Sequence, residues 1–332
     1  MDRDKLVAVK DLSVTYQTRI GPVSAVDHVS FDIYKGEILG LVGESGCGKS
    51  TLGKALLRMI DPPGEISNGE IVFEDKDIMQ YDDKQMRDFR GRKASMIFQD
   101  PMTSLNPVQR VDQHLIETIQ VHEKDVDNAS ALERAGEMIR KLGIGEDRMI
   151  SYPHQLSGGM RQRVMTGIGL ILSANLIIAD EATTSLDVIV EAKLADQLRD
   201  IRDEFDISLL MITHNIALVA EMADRIAVMY AGHMVEIGDI YDVFEEPLHP
   251  YTAGLLGSVP NIQFDASEEL YKMPGEPPNL TRPPEGCRFH PRCPKAMPIC
   301  SRIEPAMTEV EPKRFIHCWL YQDHPEKMLR KG

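Results

Sequence analysis

No stretch of this chain is apolar for long enough to cross a membrane. The longest apolar run, near residues 167–179, is interrupted by Ser173 and Asn175, and a spanning helix needs roughly 20 apolar residues. The N-terminus, Met-Asp-Arg-Asp-Lys, offers no apolar signal region, so the expected location is the cytoplasm. Basic charge is scarce as well: 37 Lys and Arg face 52 Asp and Glu, a formal net charge of −15. Binding nucleic acid in bulk needs a basic footprint, and this balance argues against such a partner. Cysteine is rare, with five in 332 residues, yet Cys287, Cys293, Cys300 and Cys318 fall close together. In a cytoplasmic chain that clustering points to metal rather than disulfides. The composition that remains, 42% hydrophobic and 27% charged, is that of a soluble globular protein with one main domain and an appendage.

The most informative stretch is 38–51. Residues 38–42 form a short apolar run suited to a buried parallel strand. Gly43, four residues, then Gly48-Lys49-Ser50 follow, and 52–60 favour a helix. Strand, glycine loop and helix in that order make a phosphate-binding loop. Its backbone N–H groups turn toward phosphate oxygens and the helix N-terminus adds partial positive charge. Lys49 would reach the β- and γ-phosphates of a nucleoside triphosphate, and the Ser50 hydroxyl would hold Mg²⁺.

Further polar residues stand where strands end. Residues 7–18 and 29–33 predict strands, with Tyr16 late in the first; 70–73 and 94–98 predict two more, and Gln99 follows the last. Ligands bind beyond such C-terminal strand ends in open α/β sheets. Residues 108–142 lose strand character and predict a helical insertion, with a cap at 128–130. Leu156-Ser157-Gly158-Gly159 opens another helix, readable as a cap or as a second anion site. Residues 176–179 form a buried strand closed by Asp180 and Glu181. An Asp there suits Mg²⁺, and the neighbouring acid suits general-base work on water. Ser185-Leu186-Asp187 caps a further helix, a strand at 208–212 leads to His214, and 223–237 predicts a hairpin. Beyond about Gly238 proline and acid rise, which reads as a linker or wrapping segment rather than a new core.

The four clustered cysteines are separated by five, six and seventeen residues. Paired Cys-x₂₋₄-Cys knuckles typical of structural zinc are missing, although His290 and His317 keep mixed ligation open. A larger 4Fe–4S cube also takes four thiolates, with its ligands farther apart. Spacing leaves zinc and iron both standing.

The phosphate loop, Gln99, Leu156-Ser157-Gly158-Gly159, Asp180-Glu181, Ser185-Leu186-Asp187 and His214 occur in one order. That order resembles the ATP-binding-cassette ATPases over roughly residues 5–260. Within them, Phe98-Gln99-Asp100-Pro101, Ser104-Leu105-Asn106-Pro107 and Leu248-His249-Pro250-Tyr251-Thr252 are similar to the oligopeptide/dipeptide importer group, whose C-terminal extension also matches. The resemblance implies an α/β cassette fold at 1–238. It would have a mixed sheet, an N-terminal antiparallel β region and a helical subdomain at about 108–165. A cysteine-bearing extension would occupy 239–332.

The resemblance also implies roles. Tyr16 would stack on adenine, and Gly43, Ser45, Gly46, Gly48, Lys49, Ser50 and Thr51 would wrap the phosphates, with Cys47 a bystander in the same loop. Gln99 would touch Mg²⁺ and water, Asp180 would serve Mg²⁺, Glu181 would be the general base, and His214 would pin the γ-phosphate. Ser157 and Gly159 would contact ATP held by an opposing subunit. Such a chain works as one of two ATPase subunits, identical or different, under two transmembrane permease subunits at the cytoplasmic face of the membrane. An extracytoplasmic binding protein would deliver peptide. Some ATPases of this group carry a 4Fe–4S cluster in the extension, which would assign it to Cys287, Cys293, Cys300 and Cys318, zinc being the alternative. Nickel or glutathione import shares much of the pattern. A soluble non-transport cassette ATPase would be expected to carry a long coiled coil or two cassettes, and this chain has neither.

Overall fold

The computed structural model describes residues 4–98, 105–181, 196, 198–200, 202–204, 206–258 and 273–323. The chain begins with β1 (Lys5–Thr18), β2 (Gly21–Tyr34), β3 (Ile38–Val42), α1 (Lys49–Leu56), β4 (Gly64–Phe73) and β5 (Lys76–Asp77). Next come α2 (Asp83–Arg92), β6 (Ala94–Ile97), α3 (Val111–His122), α4 (Asn128–Lys141) and α5 (Gly158–Leu170). Then follow β7 (Leu176–Asp180), β8 (Ser208–Ile212), α6 (Ile216–Met222), β9 (Arg225–Tyr230) and β10 (His233–Asp239). The tail adds α7 (Ile240–Glu245), α8 (Pro250–Gly257), β11 (Thr308–Glu311) and β12 (Arg314–Ile316). No helix among the described residues is long and apolar enough to cross a membrane.

The chain forms two compact units. One is built chiefly from Phe73–Thr213 with Ile33–Ile38, the other from Val7–Asp32, Leu39–Val72 and His214–Gly332. In the first, β6, β7 and β8 lie side by side and parallel, in registers Ala94↔Leu176 and Leu176↔Ser208. Every residue of β7 and β8 is buried. Strands covered on both faces have no use for polar alternation, which explains their continuous apolar runs. The same unit holds α3, α4 and α5. Ala131, Ala135, Met138 and Ile139 of α4 recur at helical spacing and are buried. Its cap is Asp127, whose carboxylate accepts the Ser130 N–H at 2.7 Å, one residue before the expected cap.

In the second unit β2, β1 and β4 form one sheet. Two residues join β1 to β2, a connection that only antiparallel neighbours allow. A second sheet runs β11-β12-β10-β9-β3, antiparallel up to β9 and parallel from β9 to β3. The hairpin expected at 223–237 is therefore present as β9 and β10.

Three differences from the sequence reading have local causes. Strand β4 starts at Gly64 rather than residue 70, because its first half is largely polar, with Ile66 its only apolar side chain, and buries no residue. Helix α1 stops at Leu56, short of residue 60. Arg58 takes a left-handed φ of 50°, and the N–H groups of Arg58 and Met59 turn back to the carbonyls of Ala55 and Lys54. The tail does more than wrap, since β12 joins the sheet against β10 with Glu236 opposite Ile316.

Candidate functional site

In the second unit, β3 delivers the chain into the glycine loop and α1 receives it. Gly48, the N-cap of α1, has φ of 108°, and a Cβ there would stand 2.1 Å from the Ala25 carbonyl oxygen. A Cβ on Gly43, φ 154°, would meet the Met229 carbonyl oxygen at the same distance. Both positions therefore require glycine. Lys49 is buried, and its ammonium donates to the carbonyls of Gly43 at 2.8 Å and Glu44 at 3.0 Å. The lysine lies folded along its own loop, where an incoming phosphate would exchange neutral carbonyls for charged oxygens. Cys47 is buried with Sγ 3.8 Å from that ammonium. Tyr16 is half-buried; its ring lies so close to Gly64 that a Cβ there would sit 2.5 Å from it. His214 is exposed just before α6, whose cap Asn215 accepts the Leu218 N–H.

In the first unit, Asp180 is buried at the end of β7. Glu181 follows with φ of 46°, and its N–H donates to the Ile212 carbonyl at 2.8 Å. A non-glycine residue in the left-handed region is uncommon and costs energy, and such strain gathers at functional sites. Here it turns the chain sharply after the strand and fixes the place of Glu181. Ser157 caps α5 by accepting the Met160 N–H at 3.3 Å, so the cap reading holds locally. Ser157 and Gly158 are both exposed, which leaves the N-terminal end of α5 open to solvent. Gln99 and Ser185-Leu186-Asp187 lie outside the described residues.

Sequence reasoning missed how the tail holds the glycine loop. Arg292 is buried and its guanidinium grips the Glu44 carboxylate in a two-pronged pair, at 2.8 and 2.9 Å. It also donates to the Pro274 carbonyl at 2.8 Å and to the Tyr230 hydroxyl at 3.3 Å. Its charged carbon lies 5.7 Å from the Tyr230 ring centre and 6.0 Å from that of Phe289. The bonds to Glu44 raise the guanidinium pKa further. The hydroxyl of buried Tyr251 accepts the Glu44 N–H at 2.9 Å. Tyr251 is in turn set by the preceding residues: the buried Glu236 carboxylate accepts the N–H groups of Leu248 and His249, and His249 Nδ1 accepts that of Tyr251. Complete burial pushes His249 down to about 3, so its ring stays neutral and able to accept. The Leu-His-Pro-Tyr stretch thus acts as a bracket for the loop. Pro277, Pro278 and Leu280 face Glu44, Ser45, Gly46 and Cys47 across a cavity of about 240 Å³.

The four tail cysteines are free thiols. Burial raises Cys287 to about 11 and Cys318 to about 12, and the other three thiols lie near enough to Cys318 to add to its shift. The Cys287 N–H donates to the Cys300 carbonyl at 2.8 Å. Among the described residues no three of these sulfurs come within 4.8 Å of one another. Zinc on four thiolates at about 2.3 Å would hold them roughly 3.8 Å apart, so this tight tetrahedron is not formed. Mixed ligation is not assembled either. His290 Nδ1 sits 2.9 Å from the Cys287 carbonyl, and His317 gathers with His233 and Glu304 instead.

The ABC transporter family profile matches residues 26–184, and that of the oligopeptide/dipeptide transporter C-terminal region matches 235–300. The chain is 43% identical to the dipeptide transport ATP-binding protein DppD of Bacillus subtilis, over 99% of its own length and 98% of the relative's. It is 44% identical to the oligopeptide transport ATP-binding protein OppD of Escherichia coli, over 95% and 93% of the two chains. A dimeric ATP-binding cassette solved after hydrolysis with ADP and phosphate superposes with a TM-score of 0.65. That match is 24% identical, covers 70% of this chain and 98% of the other, and speaks for the fold alone.

Proposed function

This chain belongs to the ABC transporter family, among its oligopeptide and dipeptide transport ATP-binding proteins, and from that premise we propose how its residues divide the work. It is a cassette ATPase whose hydrolysis drives the uptake of dipeptides or oligopeptides. One observation carries this reading above others: a single chain joins the cassette to the C-terminal region characteristic of peptide transporters, at full-length similarity. Nickel, glutathione and non-transport roles have no comparable support.

The glycine loop and Lys49 bind the triphosphate, and the Ser50 hydroxyl, Gln99 and Asp180 serve its Mg²⁺. Tyr16 stacks on the base. Glu181 accepts a proton from the attacking water, and His214 holds the γ-phosphate by a hydrogen bond. Ser157 and Gly159 meet the nucleotide of an opposing cassette, so each γ-phosphate favours a closed pair, and its loss lets the pair reopen. Two permease subunits convert that motion into alternating access and hold the chain at the cytoplasmic face of the membrane. An extracytoplasmic binding protein supplies peptide. Reconstituted with these partners, the complex is expected to hydrolyse ATP several-fold faster when the binding protein is loaded with peptide. Stimulation by nickel-loaded or glutathione-loaded binding protein, with none from peptide, would overturn the substrate assignment.

Cys287, Cys293, Cys300 and Cys318 would hold a 4Fe–4S cluster. Supporting this are four neighbouring thiols and a tail with few apolar residues to fold around. The cluster would staple the tail. Because burial raises the Cys287 and Cys318 thiols, loading it must release their protons. Anaerobic purification from iron-replete cells is expected to give brown protein with about four irons per chain. Stoichiometric zinc without iron would refute the cluster.

A further inference from the structure

We propose that His233, Glu304 and His317 form a second metal site, separate from the cysteines, for a borderline divalent cation of the zinc class. His233 opens β10, and His317 follows β12, the tail strand that pairs with β10. The His317 N–H donates to the Val235 carbonyl at 2.9 Å, which brings its ring beside that of His233, with centres 5.1 Å apart. Glu304, just ahead of β11, completes the group.

The geometry is that of a ligand set. His233 Nδ1 and His317 Nε2 lie 3.3 and 3.4 Å from the same oxygen, Oε1 of Glu304. All three donor atoms fall within 4.8 Å of one another. A tetrahedral zinc ion with bonds of about 2.0–2.1 Å separates its ligands by roughly 3.4 Å, which matches both contacts. Two imidazoles and one carboxylate suit zinc and its neighbours in the transition series. Three protein ligands leave a fourth position open, and Glu304, 48% exposed, puts that position within reach of water.

A plain hydrogen-bonded cluster explains the contacts less well. Charge-assisted N–H···O bonds run to about 2.7–2.9 Å, and these are longer. His233 Nε2 also lies 3.4 Å from Asp27 Oδ2. To donate to both Glu304 and Asp27, His233 would have to be a cation with a side chain only 5% exposed. A metal on Nδ1 removes the conflict, because a neutral ring then keeps Nε2–H toward Asp27, the 3.4 Å separation there being a weak bond. Carboxylate, histidine and metal in line is a recurrent arrangement that fixes the ring's tautomer and raises its basicity. Asp27 is itself held by Arg288. The surrounding charges favour a cation: Asp27, Glu304 and Asp11 outnumber Arg288 and the exposed His28, which pairs with Asp11 at 2.6 Å. The site joins β10 to the tail at Glu304 and His317, so occupancy would lock the extension in place.

The test uses the full chain, stripped of loosely held metal by a chelator and titrated with Co²⁺, then with Zn²⁺ in competition. Expected is one Co²⁺ per chain with ligand-field bands and no sulfur charge-transfer band, displaced by Zn²⁺, together with a Zn²⁺-dependent rise in Tm. Glu304→Gln and His317→Ala should each weaken binding at least tenfold and abolish the Tm rise, and Asp27→Asn should weaken it about 10–100-fold. A sulfur charge-transfer band, or binding equal in wild type and Glu304→Gln, would assign the ion to the cysteines and overturn the site. Absence of binding below millimolar Co²⁺ would overturn it too.

Discussion

Glu181→Gln is expected to lower steady-state ATP hydrolysis at least ~100-fold, the lower range of what a positioned base contributes, while ATP still binds. The carboxamide keeps the shape of the acid but cannot take a proton from water. Nucleotide affinity should change little, because the residues proposed to hold the phosphates and Mg²⁺, in the glycine loop, α1, Gln99, Asp180 and His214, are left untouched. The backbone supports this separation of roles: Glu181 is fixed by its left-handed turn and by its N–H bond to Ile212, and both survive the substitution. A trapped closed pair of cassettes should accumulate in the presence of ATP. Near-normal turnover by the purified, assembled transporter would remove Glu181 from the role of base.

What could be read in advance was local. The buried strand, Gly43, Gly48, Lys49 and Ser50 sit within fourteen consecutive positions of 38–51, and each residue type states its chemistry at that spacing. Asp180 and Glu181 could be read for the same reason, one apolar strand closed by two acids. Hidden were pairings between distant positions. Arg292 meets Glu44 across 248 residues, and Arg288 meets Asp27 across 261. Neither arginine carries a pattern of its own in a proline-rich segment. His317 was legible only as a neighbour of Cys318; its partner His233 lies in a hairpin strand on the other side of the tail, and only the β10–β12 pairing unites them. The Leu-His-Pro-Tyr stretch showed the reverse case. It could be recognised as a family mark, but its physical task, presenting the Tyr251 hydroxyl to the Glu44 N–H, depends on Glu236 twelve and thirteen residues earlier.

Arg292→Met is expected to destabilise the protein by about 3 kcal/mol, the cost of leaving one charge of a buried pair unpaired. The Arg292 side chain is 7% exposed and that of Glu44 24%, so water recovers only part of the loss. Four further contacts disappear with the guanidinium, to the Pro274 carbonyl, to the Tyr230 hydroxyl and to the rings of Tyr230 and Phe289. Methionine retains much of the apolar stem's packing, so the loss reports on charge and hydrogen bonding more than on volume. Because Glu44 is part of the glycine loop, ATP affinity should fall along with stability. The decisive comparison is the double variant. Glu44→Gln combined with Arg292→Met removes both charges and leaves a neutral amide, so most of the stability should return. Chemical denaturation of the four proteins of this cycle, each with and without nucleotide, measures both quantities. If Arg292→Met alone stays within about 0.5 kcal/mol of wild type, the range of an ordinary surface change, the tail does not hold the loop.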